Sequence, residues 1–262
     1  MGFSFAFSWF VSTFAAAMRY FVWFGYDGTQ YHGWQIQPNG VTVQSELERA
    51  LSLLLRREVG VTGAGRTDTG VHARRMAAHF DVDGLPMSEE ELVRKLNGLL
   101  HQDIAVYSVE RVADDMHARF SAVARTYRYY VHTRKDPFRR NYSLELHYRL
   151  DYALMNRAGA ILTEYEDFGA FCKAGSDVKT TLCRVTHAQW HRTSETSWYF
   201  EITANRFLRN MVRAVVGTLV EVGRGRMSLD EFRQVIEGGR RTQAGESMPA
   251  KALFLEEVRY GS

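Results

Sequence analysis

The stretch GAGRTDTGVHA, residues 63–73, places a single carboxylate, Asp68, among three glycines, two threonines and an arginine. Small residues allow a backbone to bend sharply and allow a ligand to approach it closely. An acid in such a loop is either a turn former or a chemically active group. The sequence on both sides of the loop has to distinguish these two interpretations.

The segments around this loop predict a β-α-β-α-β half. Residues 42–57 place apolar side chains at helical spacing with Thr42 as the N-cap, and residues 76–82 alternate apolar and polar side chains as a strand does. The other predicted elements of this half are strands over 19–28 and 104–111 and a helix over 88–100 that begins with a Ser88/Glu91 capping box. The Asp68 loop therefore lies between the first helix and the strand that follows it.

A second half follows without a low-complexity linker. Residues 207–223, FLRNMVRAVVGTLVEVG, carry apolar pairs every four residues, which predicts a buried helix face. The other predicted elements are strands over 125–133, 143–150, 182–191, 197–204 and 254–260 and helices over 151–164 and from Ser228 onward. This pattern predicts an α+β fold of two mixed α/β halves, 19–120 and 121–262, built around antiparallel sheet.

The composition of the 262-residue chain limits the classes of partner that it can bind. The formal net charge is only +3, but the 33 basic residues comprise 28 Arg and 5 Lys. The guanidinium group binds phosphate through two hydrogen bonds and stacks on bases, so this excess favours an RNA or phosphate partner. A genome rich in G and C would also enrich arginine, so composition alone leaves both explanations open.

The cysteines and the N-terminus indicate a cellular location. Two cysteines, Cys172 and Cys183, are too few for a disulfide scaffold and indicate a reducing compartment. Residues 1–17 are apolar, but they lack the basic segment of a signal peptide and are short for a membrane span. We therefore expect a cytoplasmic protein that does not insert into membranes. Residues 1–18 are interpreted as an extension, either disordered or created by a start site assigned too early.

The Asp68 loop was compared with three known motifs, and none of them matches it fully. Gly65 and Gly70 have P-loop spacing, but Val71 and His72 occupy the required Lys and Ser/Thr positions. The dinucleotide-binding pattern G-x-G-x-x-G meets Asp68 where its third glycine belongs. The letters DTG also occur in aspartic proteases, whose mechanism needs two carboxylates that share a proton. This chain has one such triplet, so a protease would have to be a homodimer.

The candidate metal ligands show no ligand spacing. His72, His79, Cys172 and Cys183 form no H-x3-H or C-x2-C pair, so no metal is expected. What remains is one acid two residues after Arg66 in a glycine-rich loop. That arrangement suits a nucleophile or an electrostatic stabiliser, and it equally suits a turn with an exposed carboxylate.

Four separated segments carry a resemblance to a known family. GRTDTGVHA, residues 65–73, closely resembles the signature of the tRNA pseudouridine synthase A family. The other similar segments, in the same order as in that family, are residues 26–51, 117–131 and 205–225. The resemblance implies the pseudouridine synthase fold, with helices and antiparallel sheet around a central cleft. It further implies a homodimer that isomerises uridines 38, 39 and 40 in the anticodon arm of tRNA, without metal or organic cofactor.

The resemblance also assigns roles to four residues. Asp68 matches the family's catalytic aspartate, which attacks C1′ or the base or takes a proton from the sugar. Tyr127 matches the active-site tyrosine, although the same tyrosine on a strand also suits the core. Arg213 matches the basic partner of the aspartate, although its helix position also suits a solvated charge. Arg66 matches the loop arginine that displaces or holds the target nucleotide. A non-catalytic RNA-binding module of the same fold is the alternative function.

Overall fold

The computed structural model describes residues 17–176 and 178–261. The predicted extension, residues 1–18, therefore lies almost wholly outside the described residues. Its last two residues are the exceptions, since Ala17 is exposed and Met18 opens the first strand and pairs with Val82.

Three of the helices begin at caps that the sequence predicts. Within the described ranges the α-helices are α1 (Val43–Leu55), α2 (Glu89–Leu99), α3 (Tyr152–Ile161), α4 (Met211–Gly223) and α5 (Leu229–Gly238). The side chains of Thr42, Ser88 and Ser228 each accept a hydrogen bond from the backbone N–H three residues later, which satisfies one free donor of α1, α2 and α5. The prediction of these three N-caps is confirmed. The reciprocal half of the capping box predicted at Ser88/Glu91 is not formed, because the Glu91 side chain pairs with Lys95 at 2.9 Å instead.

The strands are β1 (Met18–Tyr26), β2 (Thr62–Gly63), β3 (His72–Val82), β4 (Ile104–Arg111), β5 (Ala122–His132), β6 (Leu144–Glu145), β7 (Val185–Ser194), β8 (Ser197–Ala204) and β9 (Leu253–Tyr260). The strand predicted over 143–150 was wrong in length, since β6 has only two residues. After β6 the chain turns away from the sheet, and the backbone N–H of Asp151 bonds to Gly223 at the end of α4 instead.

One sheet joins both parts of the chain. Its strand order is β4-β1-β3-β9-β5-β8-β7, with β2 added to β3 and β6 added to β5. The pairs β3–β9 and β5–β6 are parallel, and the other pairs are antiparallel. The α+β fold with mainly antiparallel sheet is thus confirmed. Strand β9 lies between β3 and β5, so it joins strands that are far apart in sequence into one sheet.

The two faces of this sheet differ. The larger core cluster lies on the face covered by helices and includes Leu47, Leu92, Tyr129 and Val215. A smaller cluster on the opposite face contains Phe21, Trp23, Ala77 and Ala118, with no residue from a helix. Within the described ranges, no helix combines the length and the apolarity needed to cross a membrane.

Candidate active site

The Asp68 loop is a tight turn between β2 and β3. The backbone N–H of Val71 donates to the carbonyl of Asp68 at 3.1 Å, and Gly70 has a φ of +78°, which a side chain would make costly. On the other side of Asp68, the hydroxyls of Thr67 and the buried Tyr26 lie 2.8 Å apart in a hydrogen bond. These contacts fix the backbone on both sides of the carboxylate.

A second glycine allows another segment to approach the loop. Gly33 has a φ of +83°, and a Cβ at this position would lie 2.4 Å from the carbonyl oxygen of Thr67. The next residue, Trp34, donates its backbone N–H to that same oxygen at 3.3 Å. The segment after β1 therefore supports the loop through close backbone contact.

Arg213 and Asp68 meet across 145 residues of sequence. The Nη1 atom of Arg213, in the first turn of α4, donates to Oδ2 of Asp68 at 3.2 Å. The Nε atom of Arg213 donates to the carbonyl of Met248 at 2.6 Å, while the Met248 N–H donates back to the Arg213 carbonyl at 3.1 Å. The Asp68 side chain remains 26% exposed. Its carboxylate is thus held by a partner and still accessible to a ligand.

Arg209 is a second cation near the carboxylate that the sequence did not single out. Its Nε lies 3.9 Å from Oδ1 of Asp68, and its side chain is 59% exposed. The residue precedes α4 and lies four positions before Arg213, so the spacing was the one available signal. Asp68 consequently faces two guanidinium groups.

Tyr127 lies in the core and close to the carboxylate. Its side chain on β5 is 8% exposed, and its ring is perpendicular to that of Phe207, with the centroids 5.1 Å apart. Burial raises the pKa of Tyr127 to about 12; nearby Arg125 opposes this shift and the charge of Asp68 adds to it. The hydroxyl is therefore protonated at neutral pH and can donate a hydrogen bond.

Arg66 lies on the exposed side of the loop. Within the described part of the chain, its guanidinium makes no ion pair or hydrogen bond. The structure therefore pairs Asp68 with Arg213, places the buried Tyr127 within the influence of the Asp68 charge, and leaves Arg66 exposed.

Arg125 was missed in the sequence and supports the loop from β5. Its guanidinium donates to the carbonyl of Ala64 at 2.9 Å and to that of Asn205 at 2.6 Å. It also donates to the carbonyls of Arg119 and Ala122. Burial lowers the pKa of Arg125. An arginine within a strand gives no sequence signal for such a role, because two of its four acceptors, Ala64 and Asn205, come from distant segments.

His72 packs inside the fold. Its Nδ1 lies 3.1 Å from the Gly28 backbone N–H, its Nε2 lies 3.1 Å from the Lys251 carbonyl, and its ring stacks on Phe254. The imidazole therefore links the segment after β1 to the start of β9.

Comparison with known proteins shows the family to which the chain belongs. A family model described as tRNA pseudouridine synthase matches residues 23–121, which contain the Asp68 loop, and residues 165–261, which contain Arg213. The chain is 54% identical to tRNA pseudouridine synthase A of Bacteroides fragilis over 245 residues, 94% of this chain and 97% of that protein. It is 40% identical to the protein of the same name from Bacillus subtilis, over 90% of this chain and 96% of that protein. The chain therefore belongs to the tRNA pseudouridine synthase A family.

Proposed function

We propose that this protein isomerises uridine to pseudouridine at positions 38, 39 and 40 in the anticodon arm of tRNA, with Asp68 as the catalytic residue. Membership of the family supports pseudouridine formation in tRNA. The observation that carries the residue assignment is the exposed Asp68 carboxylate held 3.2 Å from Arg213 in a tight glycine-rich loop.

The reaction requires a group that reacts at or beside the ribose C1′. The bond from C1′ to N1 of uracil breaks, the base rotates, and C1′ bonds to C5. The hydrogen on C5 is then lost to solvent while N1 gains one. A carboxylate can serve this sequence by attacking C1′ or the base, or by taking a proton from the sugar. In each case Arg213 stabilises the negative charge of Asp68 and fixes its direction.

We assign Tyr127 and Arg66 to binding of the target nucleotide. A uridine in a stem must leave the base stack to reach Asp68, and an aromatic face with a hydroxyl donor suits a base removed from its stack. Tyr127 supplies both, and its protonated hydroxyl supports this role. The exposed Arg66 supplies a guanidinium at the rim for a phosphate of the displaced nucleotide.

The surfaces outside the active site are proposed to bind the RNA. We infer a cytoplasmic homodimer in which one tRNA spans both subunits, with residues 19–120 and 121–262 as the halves that flank the cleft. The exposed basic residues Arg134, Lys135, Arg139 and Arg140, which follow β5, support the phosphate contacts. They position the RNA without reading its sequence.

The test is release of tritium from tRNA labelled at C5 of uracil. Wild type is compared with Asp68→Asn and with the control Asp83→Asn, which removes an exposed carboxylate that pairs with Arg57. We expect release by wild type and Asp83→Asn alone, with tRNA affinity unchanged in all three proteins. Release by none of them despite tight binding would favour the RNA-binding module. Tritium release by Asp68→Asn at the wild-type rate would show that Asp68 is not the catalytic group.

The position within tRNA needs a separate measurement. Mass spectrometry of nuclease fragments from treated tRNA should locate pseudouridine at positions 38, 39 and 40. Pseudouridine confined to another arm would contradict the assigned positions while leaving the reaction intact.

A further inference from the structure

Three side chains with metal-binding groups converge on the edge of the sheet. His187 and His191 lie on β7 on either side of Gln189, and Glu201 on β8 lies directly opposite Gln189. Residues paired across two strands share a face of the sheet, and so do residues two apart on one strand. The two imidazoles and the carboxylate therefore project from the same face.

The distances suit a shared cation. One ligand atom of each residue lies within 4.8 Å of the others, and Nε2 of His187 is 3.5 Å from Oε1 of Glu201. The two imidazole rings are 6.0 Å apart and inclined by 25°. Ligands of a tetrahedral Zn²⁺ with bonds of about 2.0–2.1 Å lie about 3.4 Å apart. Small rotations of the three side chains would reach that spacing.

The imidazoles carry an unmet bonding requirement. The Nε2 atoms of His187 and His191 are both shielded from solvent and have no hydrogen-bond partner in the described part of the chain. Buried polar atoms are normally paired, because leaving one unpaired is costly. A cation bonded to the nitrogen lone pairs would satisfy both atoms at once.

Neighbouring groups orient these ligands. The other oxygen of Glu201, Oε2, accepts a hydrogen bond from Nε of Arg128 at 2.7 Å, which leaves Oε1 directed toward His187. Nη1 of Arg128 also lies 3.7 Å from Glu256, which offsets part of its positive charge. The His191 ring stacks on Tyr199 with centroids 5.0 Å apart. Such outer contacts commonly fix the orientation of metal ligands.

We propose that His187, His191 and Glu201 bind a divalent first-row transition cation, with Zn²⁺ as the representative ion. Two imidazoles and one carboxylate suit this class of ion and do not suit Mg²⁺, which prefers oxygen ligands. The cation joins β7 to β8 on the face opposite the Asp68 site, because Arg128 pairs with Glu201 whereas its neighbour Tyr127 faces the helices. It is therefore a structural ion and takes no part in the isomerisation.

Equilibrium dialysis of the chelator-treated protein tests this site. The wild type is compared with His187→Gln, His191→Gln and the double variant. The control His147→Gln removes another histidine beside a carboxylate, since His147 lies 3.8 Å from Glu145 and is exposed. We expect one Zn²⁺ per chain in wild type and control, and affinity lowered more than about tenfold in each β7 variant. Mg²⁺ should not bind at this site.

Thermal unfolding supplies a second readout. Zn²⁺ should raise the Tm of wild type and of His147→Gln, because a ligand that binds the folded chain stabilises it, and it should leave the Tm of the double variant unchanged. Far-UV circular dichroism confirms that all variants are folded. Equal Zn²⁺ content in wild type and double variant, at one equivalent or at none, would overturn the proposal.

Discussion

The Arg213 side chain connects two atoms that matter for the site, Oδ2 of Asp68 and the carbonyl oxygen of Met248. Two hydrogen bonds in different directions fix the guanidinium plane, so the carboxylate has one preferred orientation. A residue that orients the reacting group contributes to the rate of the chemical step more than to substrate affinity.

Arg213→Ala should therefore lower kcat by about 100-fold or more, the range found when one preorganised electrostatic partner is removed. The dissociation constant for tRNA should change less than about threefold, because the side chain is largely covered by protein. Single-turnover tritium release and filter binding measure the two quantities. A variant with wild-type turnover would refute the role of Arg213.

Arg209→Ala is the matched control for that variant. Its guanidinium is more exposed and more distant from Asp68 than that of Arg213. Exposed ion pairs contribute little, so kcat should fall less than about tenfold. Equal losses in both variants would mean that total positive charge matters, and not the geometry of one hydrogen bond.

His79 gives the stability of the protein a pH dependence. The imidazole is buried under Phe21, and its Nδ1 lies 3.1 Å from the backbone N–H of Ala118. Burial lowers the pKa of His79 to about 4, and the charges of Arg19 and His117 act in the same direction. The folded chain thus resists protonation of His79. Its contribution to stability is fully present above about pH 6.5, the ordinary histidine value, and is lost as the pH falls toward 4.

Between pH 7.5 and pH 5 the wild type should lose about 1–2 kcal/mol more unfolding free energy than His79→Gln. Urea unfolding at the two pH values gives this difference. Subtracting the loss measured for His79→Gln from that of the wild type removes the contribution of the other titrating groups, which both proteins share. An equal loss in the two proteins would show that His79 is protonated alike in the folded and unfolded chain.

At the scale of elements, the sequence predicts what depends on local chemistry. Thr42, Ser88 and Ser228 were identified as caps because capping needs only neighbouring residues. The start of α4 was placed too early for the opposite reason. The apolar pairs continue back to Phe207, but Asn210 adopts a φ of +67°, and the helix begins only at Met211. That turn brings Arg209 and Arg213 to Asp68, a contact that helical spacing does not encode.

The packing of α4 against residues 244–248 was also beyond prediction. Gly217 lets the segment cross the helix, since a Cβ there would lie only 1.8 Å from the carbonyl oxygen of Glu246. The backbone N–H of Gly245 donates to Thr218 at 2.9 Å in the same contact. The crossing segment carries Met248, so the packing of this helix determines the position of the carbonyl that holds Arg213.

Gly217→Ala should destabilise the protein by about 1–3 kcal/mol, because the backbone of the crossing segment has to move. The shift also moves the Met248 carbonyl, so kcat should fall with it. Gly98→Ala on α2 is the control, since its Cβ would meet nothing within 4 Å. Alanine favours a helix over glycine by up to about 1 kcal/mol, so the control should be neutral or stabilising. Urea unfolding compares them, and equal stability of the two variants would contradict the close packing.

At the scale of the whole molecule, the last strand completes the fold. β9 pairs with β3 from the first half and with β5 from the second, and the larger core cluster includes residues from both. A strand over residues 254–260 was predicted, but its place in the sheet depends on contacts between residues far apart in sequence. The pattern within one segment carries no information about such partners, so a sheet shared along the chain could not be predicted from it.

A sheet shared in this way should make unfolding cooperative across the chain. Trp34 reports on the first half and Trp190 on the second, and both are buried. With 5-fluorotryptophan incorporated, the ¹⁹F resonances of these two residues should lose their folded intensity at the same urea concentration. The physical reason is that unfolding either half exposes an edge of β9 and part of the common core. Two midpoints separated by more than the width of one transition would instead show that residues 19–120 and 121–262 fold as independent domains.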